Sequence, residues 1–351
     1  MDELTSRQQL LLSLVAREYV STAAPVGSKG LTEKFRLGIS SATIRNELAR
    51  LEELGYLSHP HTSAGRQPTD KGYRYFVERL MDDTELPITE QRTISHQFHQ
   101  VRQDVEQWMK LAAAVLARTA RNAALITAPQ STNARFKHIQ LISTQGRMVL
   151  LIVVLQDGSI KQEMLTLAQA LTQEALDEAS RRLNIVCENL GADSINALRS
   201  TQPVFEAEIA GVVADMLQQA EGRITSPIYR DGLTQVLTQP EFEGREVSET
   251  LLRVMEEHNP LLEEVFANTL DSNVGGVQVV IGGEGKWREL RDYSLVLAHY
   301  GVPNQATGTL GVLGPTRMPY GRAISAVRYV SDLMSDLVSD LYSHEEVVER
   351  D

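Results

Sequence analysis

The sequence predicts an α+β protein of two or three domains, and three observations carry that expectation. The first 80 residues show helical periodicity broken by proline and glycine, then a short strand and a polar hairpin. Strand patterns follow in two blocks separated by roughly a hundred residues, helix-rich over most of their length. The chain, at 351 residues, is also long for one compact core.

Leu10, Leu11, Leu14, Val15 and Tyr19 recur at helical spacing after Thr5, which predicts a first helix to about Val20. Ala24-Pro25-Val26-Gly27 ends that pattern. Ser28 is the expected N-cap of a short second helix through Phe35. Arg36-Leu37-Gly38-Ile39 forms the turn, with Gly38 free to take positive φ. Ser40 caps a third helix, Ser41 to Leu54, and Gly55 closes it.

On the third helix Ile44, Leu48, Leu51 and Leu54 share one face. Stepping 100° per residue, the opposite face carries Ala42, Asn46 and Ala49, flanked by Arg45 and Arg50. Two alanines permit close approach to a groove floor. Asn46 has the paired donor and acceptor that match adenine, and Arg45 the fork that matches guanine. Glu52 and Glu53 lie where a docked helix leaves the groove. Taken alone, this stripe fits an ordinary surface helix equally well.

The next residues break the tie. Tyr56-Leu57 reads as a short strand, and His59 to Arg66 as a polar hairpin with one guanidinium near its tip. Gln67-Pro68-Thr69 leads out to a further helix from Asp70, bearing Tyr73, Phe76, Val77 and Leu80. A helix followed by such a hairpin is a winged helix-turn-helix, and duplex DNA is its partner. Arg45 and Asn46 are the expected base readers, with Ser41, Thr43 and Arg50 on the backbone or groove edge. Arg66 would enter a minor groove, and Thr62 and Ser63 would touch phosphate. His59 and His61 have no third ligand nearby, so no metal is expected.

The net charge of −12 disfavours nucleic acid until it is read by region. Residues 1–80 hold 11 Lys/Arg against 9 Asp/Glu, and the remainder holds 23 against 37. Screening over about 8 Å lets a basic face bind phosphate while acidic domains sit beyond reach. The lone Cys187 excludes an intramolecular disulfide framework and fits a reducing cytoplasm. Met1-Asp2-Glu3 lacks a basic signal start, and the longest aliphatic run, Met148 to Leu155, is too short to span a bilayer. A cytoplasmic protein without membrane contact is expected.

Residues 81–90 read as an acidic linker. From Ile94 the apolar register Ile94, Phe98, Val101, Val105, Trp108, Ala112 and Val115 forms a heptad seam. It suits either a two-stranded contact between protomers or a long helix lying on its own domain. Strands are predicted at His138–Thr144, Met148–Gln156 and Ser159–Leu167; the middle one is apolar throughout, so both its faces should be covered. Strand patterns return at Val277–Ile281, Ser294–His299 and Gly308–Val312, followed by a helix from about Tyr320. One sheet split by an insertion explains this layout. Between them lie helical stripes: Ala175, Ala179, Leu183 and Val186, then Ile209, Val213, Met216 and Leu217.

Enzyme chemistry finds little footing. Aligning Gly285-Lys286 with a phosphate-binding loop puts Val280 at its first glycine and Trp287 at its metal-binding hydroxyl, so a turn after a strand is the better reading. Gly308, Gly311 and Gly314 have the wrong spacing for a dinucleotide fingerprint. No nucleophile and base lie close in sequence, and Cys187 sits on an apolar helical stripe as a structural thiol. No enzyme activity and no cofactor are expected.

The segments GISSATIRNELARLEELGYL (38–57) and HTSAGRQPTDKGYRYFV (61–77) resemble, nearly residue for residue, the HrcA family of heat-inducible transcription repressors. The resemblance continues in Gly282 of VVIGGEG and in GVLGPTRMPYGRAI (311–324), and so covers the whole chain. It implies a GAF-like sheet domain interrupted by an inserted dimerising domain. It further implies a dimeric repressor of chaperone genes, bound to an inverted-repeat operator called CIRCE and kept active by the GroEL chaperonin. On this reading residues 1–80 bind DNA and 81–124 are linker and long helix. Residues 125–169 and 246–345 form the two parts of the GAF-like domain, and 170–245 the insertion. A small-molecule-gated repressor, with the GAF-like domain as sensor, is the alternative.

Overall fold

The computed structural model of the protein describes residues 4–348 apart from 61–64, 83, 102–103, 132–133, 157, 223–227, 243–244, 256–259, 270–273, 275 and 304. Three helices open the chain: α1 (Ser6–Thr22), α2 (Ser28–Phe35) and α3 (Ser41–Glu53). Strands β1 (Leu57–Ser58) and β2 (Gln67–Pro68) pair antiparallel, and α4 (Asp70–Tyr75) runs on as a π-helical turn, Phe76–Leu80. Next come α5 (Ile88–Gln100), α6 (Val105–Ala120), β3 (Ala123–Thr127) and the two-residue β4 (Gln130–Ser131). Strands β5 (Phe136–Gln145), β6 (Met148–Leu155) and β7 (Ile160–Thr166) lead into α7 (Gln173–Cys187), α8 (Ala192–Leu198) and α9 (Val204–Gly222). The chain continues through β8 (Ile228–Asp231), α10 (Leu233–Leu237), α11 (Arg245–Val254) and α12 (Pro260–Thr269). It ends with β9 (Val277–Ile281), β10 (Tyr293–Val302), β11 (Ala306–Pro315) and α13 (Tyr320–Val348). The class is α+β, and no helix among the described residues is long and apolar enough to cross a membrane.

Two compact units emerge: residues 1–129, 226–302 and 308–351 form one, and 130–225 with 303–307 the other. In the first, the N-terminal helices close a core of Leu11, Leu12, Val15, Leu31, Ile44, Leu48, Leu51 and Tyr56. Local chemistry explains where the helices begin. The Thr5 hydroxyl accepts from the Gln8 backbone N–H at 3.3 Å while the Gln8 side chain accepts from the Thr5 N–H at 3.1 Å, a reciprocal cap on α1. The Ser40 hydroxyl accepts from the Thr43 N–H at 3.1 Å, as the sequence predicts for α3. Ser28 is the first residue of α2 and Gly27 its cap, one residue from the expected boundary.

The larger sheet of this unit runs β8-β3-β11-β10-β9. Strand β10 is buried from Tyr293 to Ala298, because α13 packs on the sheet through Ala323, Val327, Val330 and Met334. The N-terminal module is tied to it at several points. Arg74 on α4 donates to the Val279 carbonyl of β9 at 2.6 Å and pairs with Glu284. Arg317 donates to the Val20 carbonyl at 3.1 Å and to Glu241 at 3.0 Å. Gly282, at φ +58°, lies against Asp70, whose carboxylate would be 2.3 Å from a Cβ there.

Three expectations are corrected. Strands β5, β6 and β7 do not extend the later strands' sheet; they form an antiparallel sheet of their own, with α7, α8 and α9. The predicted first half of the sheet domain (125–169) therefore contributes only β3 and the two-residue β4, which pairs with β11, to the larger sheet, and the second compact unit is 130–225 rather than 170–245. Side chains of α7 bond the outer edge of β5, where later strands would otherwise add: Asn184 accepts from the Ile139 N–H at 2.7 Å and Ser180 from the Leu141 N–H at 3.2 Å. The heptad seam is not one helix. Val101 and Asp104 are both extended, and the Asp104 carboxylate accepts from the Glu106 and Gln107 N–H groups to start α6 anew. Ile94, Phe98, Trp108, Ala112 and Val115 are buried within the chain, which leaves no seam for a second protomer. The 81–90 segment is not a free linker either. Leu86 is buried, the Thr84 carbonyl accepts from Ser325, and α5 has begun by Ile88.

Candidate nucleic-acid interface

Helix α3 buries Ile44, Leu48 and Leu51, which turns the opposite stripe outward. Ala42, Arg45, Asn46 and Arg50 are exposed, and Ala49 is half-buried between them. Neither Arg45 nor Asn46 has a side-chain hydrogen bond or ion pair among the described residues, so both keep their full bonding capacity. Arg50 donates to Glu53 at 2.8 Å, an exposed pair that a phosphate can displace at small cost. Thr43 and Ser41 are committed differently. The Thr43 hydroxyl lies 3.0 Å from that of Ser40, and the Ser41 hydroxyl 3.1 Å from that of Ser28. Through the second contact the N-termini of α2 and α3 are locked together.

The segment after α3 is held by backbone. Arg66 and Val26 exchange N–H···O bonds of 2.8 and 2.9 Å, and Leu57 pairs Pro68 across β1 and β2. Gly65 approaches so closely that a Cβ would stand 2.5 Å from the Val26 carbonyl carbon. At the stem the Arg66 Nε donates to Glu52 at 3.0 Å, and His59 bonds the other oxygen of that carboxylate. Thr62 and Ser63 lie outside the described residues. Of the expected contact residues, the structure thus brings Ser41, Thr43, Arg45, Asn46 and Arg50 onto one helix with Arg66 beside its C-terminal end.

Sequence reasoning missed Glu52 and Lys71. Glu52 read as a residue leaving a groove, whereas it holds the hairpin stem. Lys71 donates to the Leu54 carbonyl at 2.8 Å and lies 4.4 Å from the Tyr56 ring centre, closing the end of α3. Its signal was distance-blind, since it lies 17 residues beyond the carbonyl it caps.

Elsewhere, Gly282–Gly285 is a short 3₁₀ turn after β9, as the failed phosphate-loop alignment suggested. Cys187 is buried, and burial pushes its thiol up. A cleft of about 910 Å³ opens beside β9, lined by Arg74, Glu78, Lys286, Trp287 and Arg328.

Comparison with known proteins joins these features to a family. Residues 106–324 match the family model described as HrcA protein C terminal domain. The heat-inducible transcription repressor HrcA of Roseiflexus castenholzii is 46% identical, with 98% of this chain and 97% of that protein covered. That of Herpetosiphon aurantiacus is also 46% identical, over 98% of each chain. A crystal structure titled only as a hypothetical protein shares the fold at TM-score 0.59 and 23% identity, covering 96% of this chain and 98% of that one. The curated relatives match over nearly the whole length, the family model spans more than half of the chain, and the chain belongs to the HrcA family of heat-inducible transcription repressors.

Proposed function

We propose that the protein is a transcription repressor of chaperone operons that binds DNA through residues 1–80 as a winged helix-turn-helix. The observation that carries this reading is the α3 stripe, where Arg45 and Asn46 stand exposed and unengaged between small residues. That stripe fits a major groove: Asn46 matches adenine, Arg45 matches guanine, and Ala42 and Ala49 let the helix sit deep. Arg50, Ser41 and Thr43 meet the backbone, Arg66 anchors the wing, and Thr62 and Ser63 carry phosphate contacts at its tip. The larger sheet with α6 and α13 is read as the GAF-like domain.

The working form is a homodimer, and the unpaired face of the β5-β6-β7 sheet supports it. One face of β6 is buried through Val149, Leu151, Val153 and Leu155. The other presents Met148, Leu150, Ile152 and Val154, with Ile142, Ile160 and Met164 beside them across the ladder. Of these, Ile160 is 66% exposed and Met164 47%. A contiguous apolar patch of this kind marks a protein contact, and a second copy satisfies the sequence's demand that both faces be covered. Two α3 helices then read the half-sites of an inverted repeat such as CIRCE, and occupancy blocks transcription. Family membership brings GroEL as the partner that maintains the active state.

The test is an equilibrium titration of a CIRCE duplex against a scrambled duplex at about 0.15 M salt. The operator should win by about a thousandfold or more. Asn46→Ala should cost about 1–3 kcal/mol on the operator and relax base preference, while leaving scrambled DNA nearly unaffected. If Asn46→Ala and Arg45→Ala both leave operator affinity unchanged, the helix assignment fails. Added GroEL should raise the bound fraction. The cleft beside β9 favours one second reading, a repressor gated by a small ligand; a response to such a ligand, with none to GroEL, would select it.

A further inference from the structure

The sequence placed Glu52 as a residue leaving the groove, but the structure gives its carboxylate two partners. Oε2 accepts from the Arg66 Nε at 3.0 Å and Oε1 meets the His59 ring nitrogen. We propose that Glu52 sets the specificity of the DNA interface, by withholding the Arg66 charge from phosphates at random sites while aiming the same guanidinium at an operator. This rests on the DNA-binding reading of residues 1–80.

The hairpin does not need the carboxylate to fold. Its stem is pinned by the reciprocal backbone bonds between Arg66 and Val26, by the β1–β2 pairing and by the close approach of Gly65 to residues 25 and 26. What Glu52 adds is charge and direction. Its side chain is 25% exposed and that of Arg66 20%, so the pair is screened less than one in open solvent. On α3, Glu52 stands two turns beyond Arg45 and within about 20° of it around the axis. The carboxylate therefore lies between the base-reading stripe and the wing.

The bond geometry separates two situations. Only the Nε of Arg66 is used, and its two terminal nitrogens have no hydrogen-bond partner among the described residues. Binding to random DNA comes almost wholly from neutralised phosphates. There a paired Arg66 counts for little, and the Glu52 charge repels the backbone. Residues 1–80 carry only 11 basic against 9 acidic residues, so one cation is a large share of their pull. On an operator, base contacts from α3 seat the module. The wing is then close enough for the terminal nitrogens to meet phosphate while Nε stays on Glu52.

The experiment uses the full chain and the same two duplexes. Glu52→Gln should tighten binding to the scrambled duplex about tenfold and steepen its log–log salt slope by about 0.9, the signature of one more phosphate contact. Operator affinity should change by less than about threefold, so the specificity ratio falls. In an Arg66→Gln background the same substitution should tighten scrambled-duplex binding far less, since only the repulsion of Glu52 is then removed, and should leave the salt slope nearly unchanged. Thermal unfolding of each variant shows whether the module stays folded, and the salt slope on Arg66→Gln alone reads the same contact without touching Glu52. Scrambled-duplex binding that ignores Glu52→Gln, or a gain just as large without Arg66, overturns the proposal. Wild-type protein with no operator preference overturns the repressor reading and this proposal together; preserved preference without a Glu52 response overturns this one alone.

Discussion

Gly72 occupies a place where a methyl group has no room. A Cβ there would lie 2.1 Å from the carbonyl oxygen of Tyr56, which is itself held by the Thr69 N–H at 3.1 Å. Backbone cannot swing aside as a side chain can, so Gly72→Ala must push α4 off β1. We expect a loss of about 1–3 kcal/mol, read as a lower midpoint in denaturant unfolding. An unchanged midpoint would mean that α4 relaxes freely. Some glycines were legible from sequence: Gly38 and Gly55 take φ of +67° and +77° at the turns their neighbours announced. Gly72 was not, because the group that excludes a side chain is 16 residues away. The same holds for Arg66. Its place in the hairpin was visible, its Glu52 partner was not.

At the scale of elements, helix starts were the most legible feature, since a cap needs only residues three positions apart. Thr5 and Ser40 begin α1 and α3 by that chemistry. The same rule, followed one step further, divides the heptad seam. Asp104 caps α6, so apolar spacing carried across a break that polar residues had marked. Asp104→Ala should cost about 0.5–2 kcal/mol in unfolding free energy. A continuous helix over this region would show no such loss. The register misled because α5 and α6 both bury the same face of their pattern, and periodicity reports which side is buried without reporting whether the backbone is unbroken.

For the whole molecule, the apolar face of the β5-β6-β7 sheet and the DNA module make one joint prediction. Ile152 sits at the centre of the open face, between Gln140 and Gln162 on the neighbouring strands. Ile152→Glu should convert a dimer to monomers in sedimentation without unfolding the chain. Operator affinity should then fall by about a hundredfold, because two half-sites are no longer linked. Dimers that persist would move the contact to another surface.

By itself the sequence determined the α+β class, the identity of the capped helices and of the strongly patterned strands, and the confinement of net positive charge to the first 80 residues. It also determined the outward stripe of α3, because 3.6-residue spacing places Arg45 and Asn46 opposite Ile44 and Leu48 whatever the helix packs against. Only the tertiary structure decided which strands share a sheet, since period-2 patterns announce a strand but not its neighbour. It also decided that Arg74 grips β9 across 205 residues of chain and that Glu52 holds Arg66. The division has one cause. Caps, turns and periodicity act over a few bonds and are written locally. Partners distant in sequence are chosen by the packing of the whole core.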